Sequence, residues 1–417
     1  MNLLYISQYF PPEMGAPSAR GSELARHWAH AGHQVSVLTG FPNHPTGVVP
    51  AEWRSRLRRL TYHEKVGHVD VYRTWLWPLP NRKAHERMRN YASFCLSAAL
   101  RGMTIPRPDV IIASSPQLLV GLSGWWLAFT RQIPFVFEVR DLWPESLAAV
   151  GVGGENSLLH HALAALAGFL YRSADRIVVV TPAFKDYLIH RWRVPAAKIE
   201  VVENGVETDL FVPTDPSPPA YPRRELNAES RFLVCYIGTM GMAHGLETVL
   251  DAAARLQSAA PNVLFVLIGE GSEKERIKSL AHSRGLTNVW FLDQQPREKI
   301  PSFISAADVC LVLLKKTDVF KTVIPTKMLE YMSCARAVIL GVEGQARQIL
   351  EDAGAGLAIE PENADALAAA ITQLDHNREQ AKTLGEQGRA YILQKFSRAS
   401  TAQKYITVLR DIASTRR

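Results

Sequence analysis

In IPTKMLEYM (324–332), Pro325 and Thr326 read as the start of a helix, with Thr326 as its cap. Thr326 and Glu330 stand four residues apart, so they share one helix face. Lys327 falls in the first turn, where a basic residue opposes the helix dipole. A phosphate bound at that N-terminus would account for the lysine. Glu330, one turn further on, could then accept hydrogen bonds from the hydroxyls of a sugar diol. The same lysine and glutamate also fit a plain surface pair.

Three loops carry further candidates. PPEMGAPSAR (11–20) lies between a strand and a helix, and Gly15 permits close approach of backbone to a ligand. GTMGMAHG (238–245) holds Gly238, Thr239, Gly241, His244 and Gly245 at the corresponding place in the second half. Both suit an anion, and both also suit an ordinary strand–helix turn. Neither matches GxGxxG, and no GxxxxGK[ST] occurs, so the usual dinucleotide and ATP loops are disfavoured. FEVRDLWPES (137–146) sets Arg140, Asp141 and Glu145 at the end of a strand, as site residues or as a capping Asp–Arg pair. His33 reads as the residue that follows a helix end.

These loops need strands and helices to hold them. Strands are predicted at Asn2–Ser7, 33–40, 69–74, 110–114, 135–140, 176–180 and 199–204, with a helix at Ser18–Ala31. PTDPSPPAYPRR (213–224) then packs five prolines between Pro213 and Pro222, a stiff connector. The plan restarts with strands at 232–238, 263–269, 288–293, 308–314 and 337–341, alternating with helices. The pattern predicts an α/β protein of two doubly wound Rossmann-like domains. The expected division is a domain over 1–212, a linker over 213–230, a domain over 231–395 and a helical segment over 396–417 that packs back on the first. Two such sheets place a ligand cleft at the carboxyl ends of their strands.

Composition narrows the class. The chain has 417 residues, 47% hydrophobic and 21% charged, enough apolar material for two cores. The four cysteines (Cys95, Cys235, Cys310, Cys334) have no metal-ligand spacing, and no D-x-D pair occurs, so no metal site is expected. The N-terminus reads as a strand rather than a signal peptide, and no apolar stretch reaches membrane-spanning length. A soluble, reduced, cytoplasmic protein is expected. The net charge is +7, yet residues 54–107 alone carry an excess of +9. That stretch also holds Tyr62, Tyr72, Trp75, Trp77, Tyr91 and Phe94. Basic residues among aromatics suit an anionic lipid surface, and equally a solvated helix face over core aromatics; no nucleic-acid motif accompanies them.

Taken in order, several segments resemble the GT-B glycosyltransferases of the retaining family 4 type. They are the loop with Gly15, ELARHWAHAGHQVSVLT (23–39), VVENGVETDLF (201–211) and FLVCYIGTMGMAHGLETVLDAA (232–253). VLIGEGSEKERI (266–277), WFLDQQP (290–296) and KMLEYMSCARAVI (327–339) complete the series. FEVRDLWPES with IPTKMLEYM looks most like a subgroup acting in O-antigen and capsule assembly, which includes N-acetyl-L-fucosamine transferases.

The resemblance implies a nucleotide-sugar donor, most often a UDP-sugar, held by the C-terminal domain without a metal. It implies a saccharide or polyprenyl-linked acceptor on the N-terminal side, where Arg140, Asp141 and Ser115 fall. Glu330 matches the second glutamate of the family's E-x7-E motif, expected on the ribose hydroxyls. Pro325, Thr326 and Lys327 match the helix start expected on the diphosphate, and Gly15 the glycine that closes over the phosphates. Gln294, Gln295 and Pro296 lie in the loop expected near the base. Three positions depart from the pattern: Thr322 replaces the first glutamate, Thr239 and His244 stand where basic residues are frequent, and Ser114 and Ser115 stand where many members carry a histidine. The implied chemistry is hexosyl transfer at the inner face of the membrane, with Lys327, Glu330 and Asp141 as catalytic candidates. The same architecture also serves nucleotide-sugar 2-epimerases, and the missing glutamate would suit a non-catalytic binding subunit.

Overall fold

The computed structural model describes residues 1–13, 15–44, 47–79, 84–145, 157–214, 222–226 and 228–415. Most of the proline-rich connector, and Ser146 of the fourth candidate segment, lie outside the described residues. The chain divides into two compact units, Met1–Asn204 with Ala399–Arg417, and Gly205–Arg398.

The first unit is built on a sheet of β1 (Asn2–Ile6), β2 (Gln34–Gly40), β3 (Thr61–Val66), β4 (Val69–Thr74), β5 (Val110–Ser115), β6 (Phe135–Val139), β7 (Arg176–Val179) and β8 (Ile199–Val201). Their spatial order is β3-β4-β2-β1-β5-β6-β7-β8. Neighbours run parallel except β3 and β4, which form an antiparallel pair. The central strands are apolar and buried on both faces, as helix-covered parallel strands must be. β4 stands at the strand expected over 69–74, while β3 (TYHEKV) was not among the predicted strands. It is an edge strand turned back at Gly67, whose φ is +60°. Open to solvent on much of its surface, it needs no apolar run and leaves no such signal.

Below this sheet Leu24, Trp28, Val35, Val37 and Ile112 pack with Tyr405, Ile406, Leu409 and Ile412 of the closing helix, Arg398–Thr415. Trp28 donates its indole N–H to the Ala402 carbonyl at 3.2 Å. A buried ion pair, Arg20–Glu138 at 2.9 Å, sits under the carboxyl ends of the strands. Tyr5 and Ser114 donate to Glu138, and Arg20 donates to the Val202 and Glu203 carbonyls and to Asn204. This network ties the first loop to β6 and to the chain after β8.

The second unit contains β9 (Phe232–Ile237), β10 (Val263–Ile268), β11 (Val289–Leu292), β12 (Val309–Leu313), β13 (Ala337–Gly341) and β14 (Gly356–Ala358). The order is β11-β10-β9-β12-β13-β14, all parallel. Alternate residues of β9 feed opposite cores: Leu233, Cys235 and Ile237 face one, Phe232, Val234 and Tyr236 the other. Both units are Rossmann-like, as the sequence predicts.

Several described side chains of the basic, aromatic stretch 54–107 are already engaged within the protein. Arg56 lies over the Trp53 and Tyr62 rings, Arg101 over Tyr72, and buried Arg73 pairs with Glu64 at 2.6 Å. Phe94 is fully buried. The stretch as a whole is therefore not one lipid-facing strip. Among the described residues, no helix is long and apolar enough to cross a membrane.

Candidate functional site

In the second unit, β9 delivers the chain to Gly238, whose φ of +146° only glycine adopts readily. The loop after β10 lies directly against it. A Cβ at Gly269 would stand 2.0 Å from the Gly238 carbonyl oxygen, and one at Gly271 would stand 2.2 Å from that of Met240. Met240 N–H donates to the Glu270 carbonyl at 2.8 Å, and the Tyr236 hydroxyl donates to the Thr239 carbonyl at 2.6 Å. Gly241 has φ −113°, and a Cβ there would meet only ordinary van der Waals neighbours, Thr239 at 3.8 Å and His244 at 4.0 Å, so this position does not demand glycine. Gly245 does, at φ +55°.

The helix of the third segment spans Thr326–Ser333, and its cap is Pro325, with no side-chain cap bond. Thr326 is thus the first helical residue and not the cap, because proline's fixed φ closes the extended run before it. Tyr331 docks the helix on β9, its hydroxyl donating to the Ile237 carbonyl and accepting from the Ile237 N–H, both at 2.9 Å. That docking points Lys327 inward. Its ammonium is buried without a hydrogen-bond partner among the described residues and lies 4.0 Å from the Tyr236 ring centroid. A Cβ at Gly238 would come within 2.8 Å of Lys327 Nζ, so the glycine gives the ammonium its place. Burial pulls the Lys327 pKa down to about 7, with Glu330 opposing. Burial, then Lys327, holds His244 down to about 3, and its Nδ1 lies 3.3 Å from the Leu313 carbonyl. This imidazole is neutral at physiological pH.

Glu330 meets Arg297 at 3.2 Å, and Arg297 lies over the Phe211 ring at 5.0 Å. Arg297 was not among the sequence candidates; its position two residues after Gln295 is the only signal for it. The pair brings the loop with Gln294, Gln295 and Pro296 to the helix, and Gln295 donates to the Asp293 carbonyl at 3.1 Å. Thr322 occupies a turn over Asp318–Thr322 and donates to the Val319 carbonyl at 2.7 Å. Gly238, His244, Pro325, Thr326, Lys327 and Glu330 are thus gathered on one unit. Chemically they offer a desolvated cation, a helix N-terminus and glycine-loop backbone to an anion, and a carboxylate to hydroxyl groups.

The first unit gathers a second group. Gly15, at φ +127°, caps the helix Ala16–His30, with Pro17 in its first turn. Glu13, absent from the sequence candidates, accepts from the N–H groups of Asn43 and His44, each at 2.8 Å. Burial pushes its pKa up to about 7 against those bonds. Arg140 donates to the Ala16 carbonyl at 3.3 Å, while its Nε and Nη1 are buried without partners among the described residues. Burial raises Asp141 to about 6, with Arg140 opposing. Gly15, Arg140 and Asp141 therefore converge. Ser115, at the end of β5, pairs in register with Val139 just before Arg140, and its buried hydroxyl has no hydrogen-bond partner among the described residues. Glu145 is engaged by the Tyr187 hydroxyl.

Residues 15–205 match the family described as glycosyl transferase 4-like domain, and residues 219–391 match glycosyl transferases group 1. A colanic acid biosynthesis glycosyl transferase named for Escherichia coli K12 is 25% identical, over 89% of this chain and 92% of that one. The chain is a GT-B glycosyltransferase. An alpha-maltose-1-phosphate synthase of Mycolicibacterium smegmatis is 25% identical to the enzyme, over 79% of this chain and 86% of that one. In fold the glycosyltransferase is similar to sucrose-phosphate synthase from Thermosynechococcus elongatus, with a TM-score of 0.78 at 22% identity over 99% of each chain. It is also similar to Anabaena HepE in complex with UDP and glucose, with a TM-score of 0.73 at 19% identity over 98% of this chain and 99% of that one. The first matched family contains Gly15, Arg140 and Asp141; the second contains the Gly238 loop, Lys327 and Glu330.

Proposed function

We propose that the enzyme transfers a sugar, with retention at the anomeric carbon, from a UDP-sugar to a saccharide or lipid-linked saccharide in cell-surface polysaccharide synthesis. A UDP-linked N-acetylated deoxysugar is the donor favoured by the resemblance of FEVRDLWPES and IPTKMLEYM. The enzyme works at the cytoplasmic face of the membrane as a peripheral protein. The observation that carries this reading is the Lys327 ammonium, buried and unpartnered beside the Gly238 loop and the helix N-terminus. A desolvated cation with no carboxylate bound to it is matched by a diphosphate.

In this reading the second unit binds the donor. Lys327, the N–H groups of the helix start and the Gly238 loop stabilise the charge that develops as the bond from the anomeric carbon to the diphosphate breaks. They do so without a metal ion. Glu330 binds the ribose hydroxyls, held in aim by Arg297, and Gln295 lies toward the base. Gly15, Arg140 and Asp141 serve the phosphate and acceptor side.

A thermal-shift panel of UDP, GDP, TDP and UDP-sugars, with and without EDTA, tests it. A nucleotide at about 100 times its Kd stabilises by roughly 2.7 kcal/mol. The expected result is a UDP-selective shift, unchanged by EDTA and abolished by Glu330→Ala. No shift with any nucleotide overturns the donor site, and conversion of the UDP-sugar without an acceptor would mark an epimerase instead.

A further inference from the structure

Two neighbouring helices of the first unit turn apolar lines toward water. Along Ala84–Gly102 the exposed positions are His85, Arg89, Ala92, Leu96 and Leu100, followed by Met103 just beyond the helix. Their three- and four-residue spacing places them on one line. A surface helix ordinarily carries polar residues there. Here the last four positions are apolar, and Leu96 and Leu100 are each 66% exposed. The helix Val120–Arg131 repeats the pattern with exposed Trp126 and Phe129 beside half-buried Leu122 and Trp125. The two lines adjoin: Thr130 Oγ1 lies 3.5 Å from Met103 Sδ, and Arg131 donates to the Gly102 carbonyl at 2.9 Å. Trp125 stacks on Phe129 with ring centroids 5.7 Å apart.

The charge around this face has one dominant sign. Residues 84–131 contain five arginines against Glu86 and Asp109, and Asp109 is occupied by the Asn2 N–H. Arg89 stands on the apolar line itself, and Arg107 flanks its far end beside Arg131. A self-paired copy would set these arginines against one another. An anionic bilayer suits both the charge and the tryptophans, which favour the headgroup level.

We propose that this two-helix face is where the enzyme rests on an anionic lipid bilayer. Leu96, Leu100, Trp126 and Phe129 enter the boundary between headgroups and acyl chains, while Arg107 and Arg131 contact anionic headgroups. The proposal rests on the reading of a lipid-linked acceptor, and it moves the lipid contact from the stretch 54–107 as a whole to one defined face.

Co-sedimentation of the full chain with vesicles tests it, using phosphatidylcholine alone and equal parts phosphatidylcholine and phosphatidylglycerol. The wild type should bind the anionic vesicles, less so as salt rises. The double substitution Leu100→Glu with Phe129→Glu should lower partitioning by about tenfold or more. Leu393→Glu, at an exposed leucine of the second unit, should not change it. Because Leu100 and Phe129 are exposed, the double variant should keep the wild-type melting temperature and UDP shift. A missing UDP shift in all variants would fault the donor site and leave the vesicle result standing. Equal binding of neutral and anionic vesicles, unchanged binding by the double variant, or a wild-type dimer that ignores vesicles and is split by the double variant would each overturn the proposal.

Discussion

Lys327 holds its ammonium 4.0 Å from the centroid of the Tyr236 ring, and Gly238 leaves just enough room for it on the backbone side. The contact gives the cation a resting place that a ligand's charge can outbid, because a cation–π contact is worth only about 0.5–2 kcal/mol. Lys327→Ala should therefore lower kcat/KM by roughly 10²–10³-fold. Steady-state kinetics at a fixed acceptor concentration would show it, and near-wild-type values would refute the role. Gly238→Ala should act in the same direction, since its Cβ would meet Lys327 Nζ at 2.8 Å on a backbone of φ +146°.

The same lysine should cost the folded enzyme stability. Its pKa falls from 10.5 to about 7 on folding, so between these values the unfolded chain binds more protons. The penalty is full below about 7 and is relieved as pH rises toward the unfolded value. Lys327→Met should raise the melting temperature by a few degrees at neutral pH, and the gain should shrink as pH rises. Scanning calorimetry of both proteins from neutral to alkaline pH would measure it. A gain that does not vary with pH would contradict the buried ammonium.

Glu330 and Arg297 should separate kinetically. With Glu330 on the donor's ribose, as proposed, Glu330→Ala should reduce kcat/KM by roughly 10²–10³-fold. Arg297 acts through Glu330, so Arg297→Ala should mainly raise the donor KM, by about tenfold, and leave kcat near wild type. The split between KM and kcat distinguishes a positioning arginine from one that merely holds the fold.

Two groups should shape the pH profile of kcat/KM. Asp141, at about 6, is ionised only above that pH, and Lys327, at about 7, is charged only below its own. Activity should fall on both sides of a narrow maximum between them. Asp141→Asn should remove the acid limb and Lys327→Met the alkaline limb, each at a much reduced rate. A flat profile between pH 5 and 8, taken as about one unit beyond each value, would count against both assignments.

The sequence told much of this in advance because the signals were local. The strands feeding Gly15 and Gly238 are apolar runs ended by loop residues, and Thr326 and Glu330 share a face by helix spacing alone. What it withheld was tertiary. Arg297 and Glu330 are 33 residues apart, and nothing in the chain between them announces their contact. β3 was silent because an edge strand bears no hydrophobic run. The aromatics of residues 54–107 looked like an interface because their burial is decided by other segments, Phe94 being wholly interior. Glu13 gave no sign of its burial, because its two N–H partners lie 30 and 31 residues away. The Thr326 cap failed for a local reason, since the proline before it already ended the extended segment.

The closing helix gives the chain an unusual order of assembly. The second unit, Gly205–Arg398, is one unbroken stretch set inside the first, like a parenthesis within a sentence. The second unit can therefore gather all its own strands while the first unit still lacks Tyr405, Ile406 and Leu409 from its core. Trp28 waits for a carbonyl 374 positions downstream. Loop closure over that distance is slow, and until it happens the underside of the first sheet is covered only in part, by the helix Ala16–His30. A fragment cut after Asn204 would leave this underside short of its closing helix permanently, so the first unit exists as a finished object only once the chain has been made through that helix.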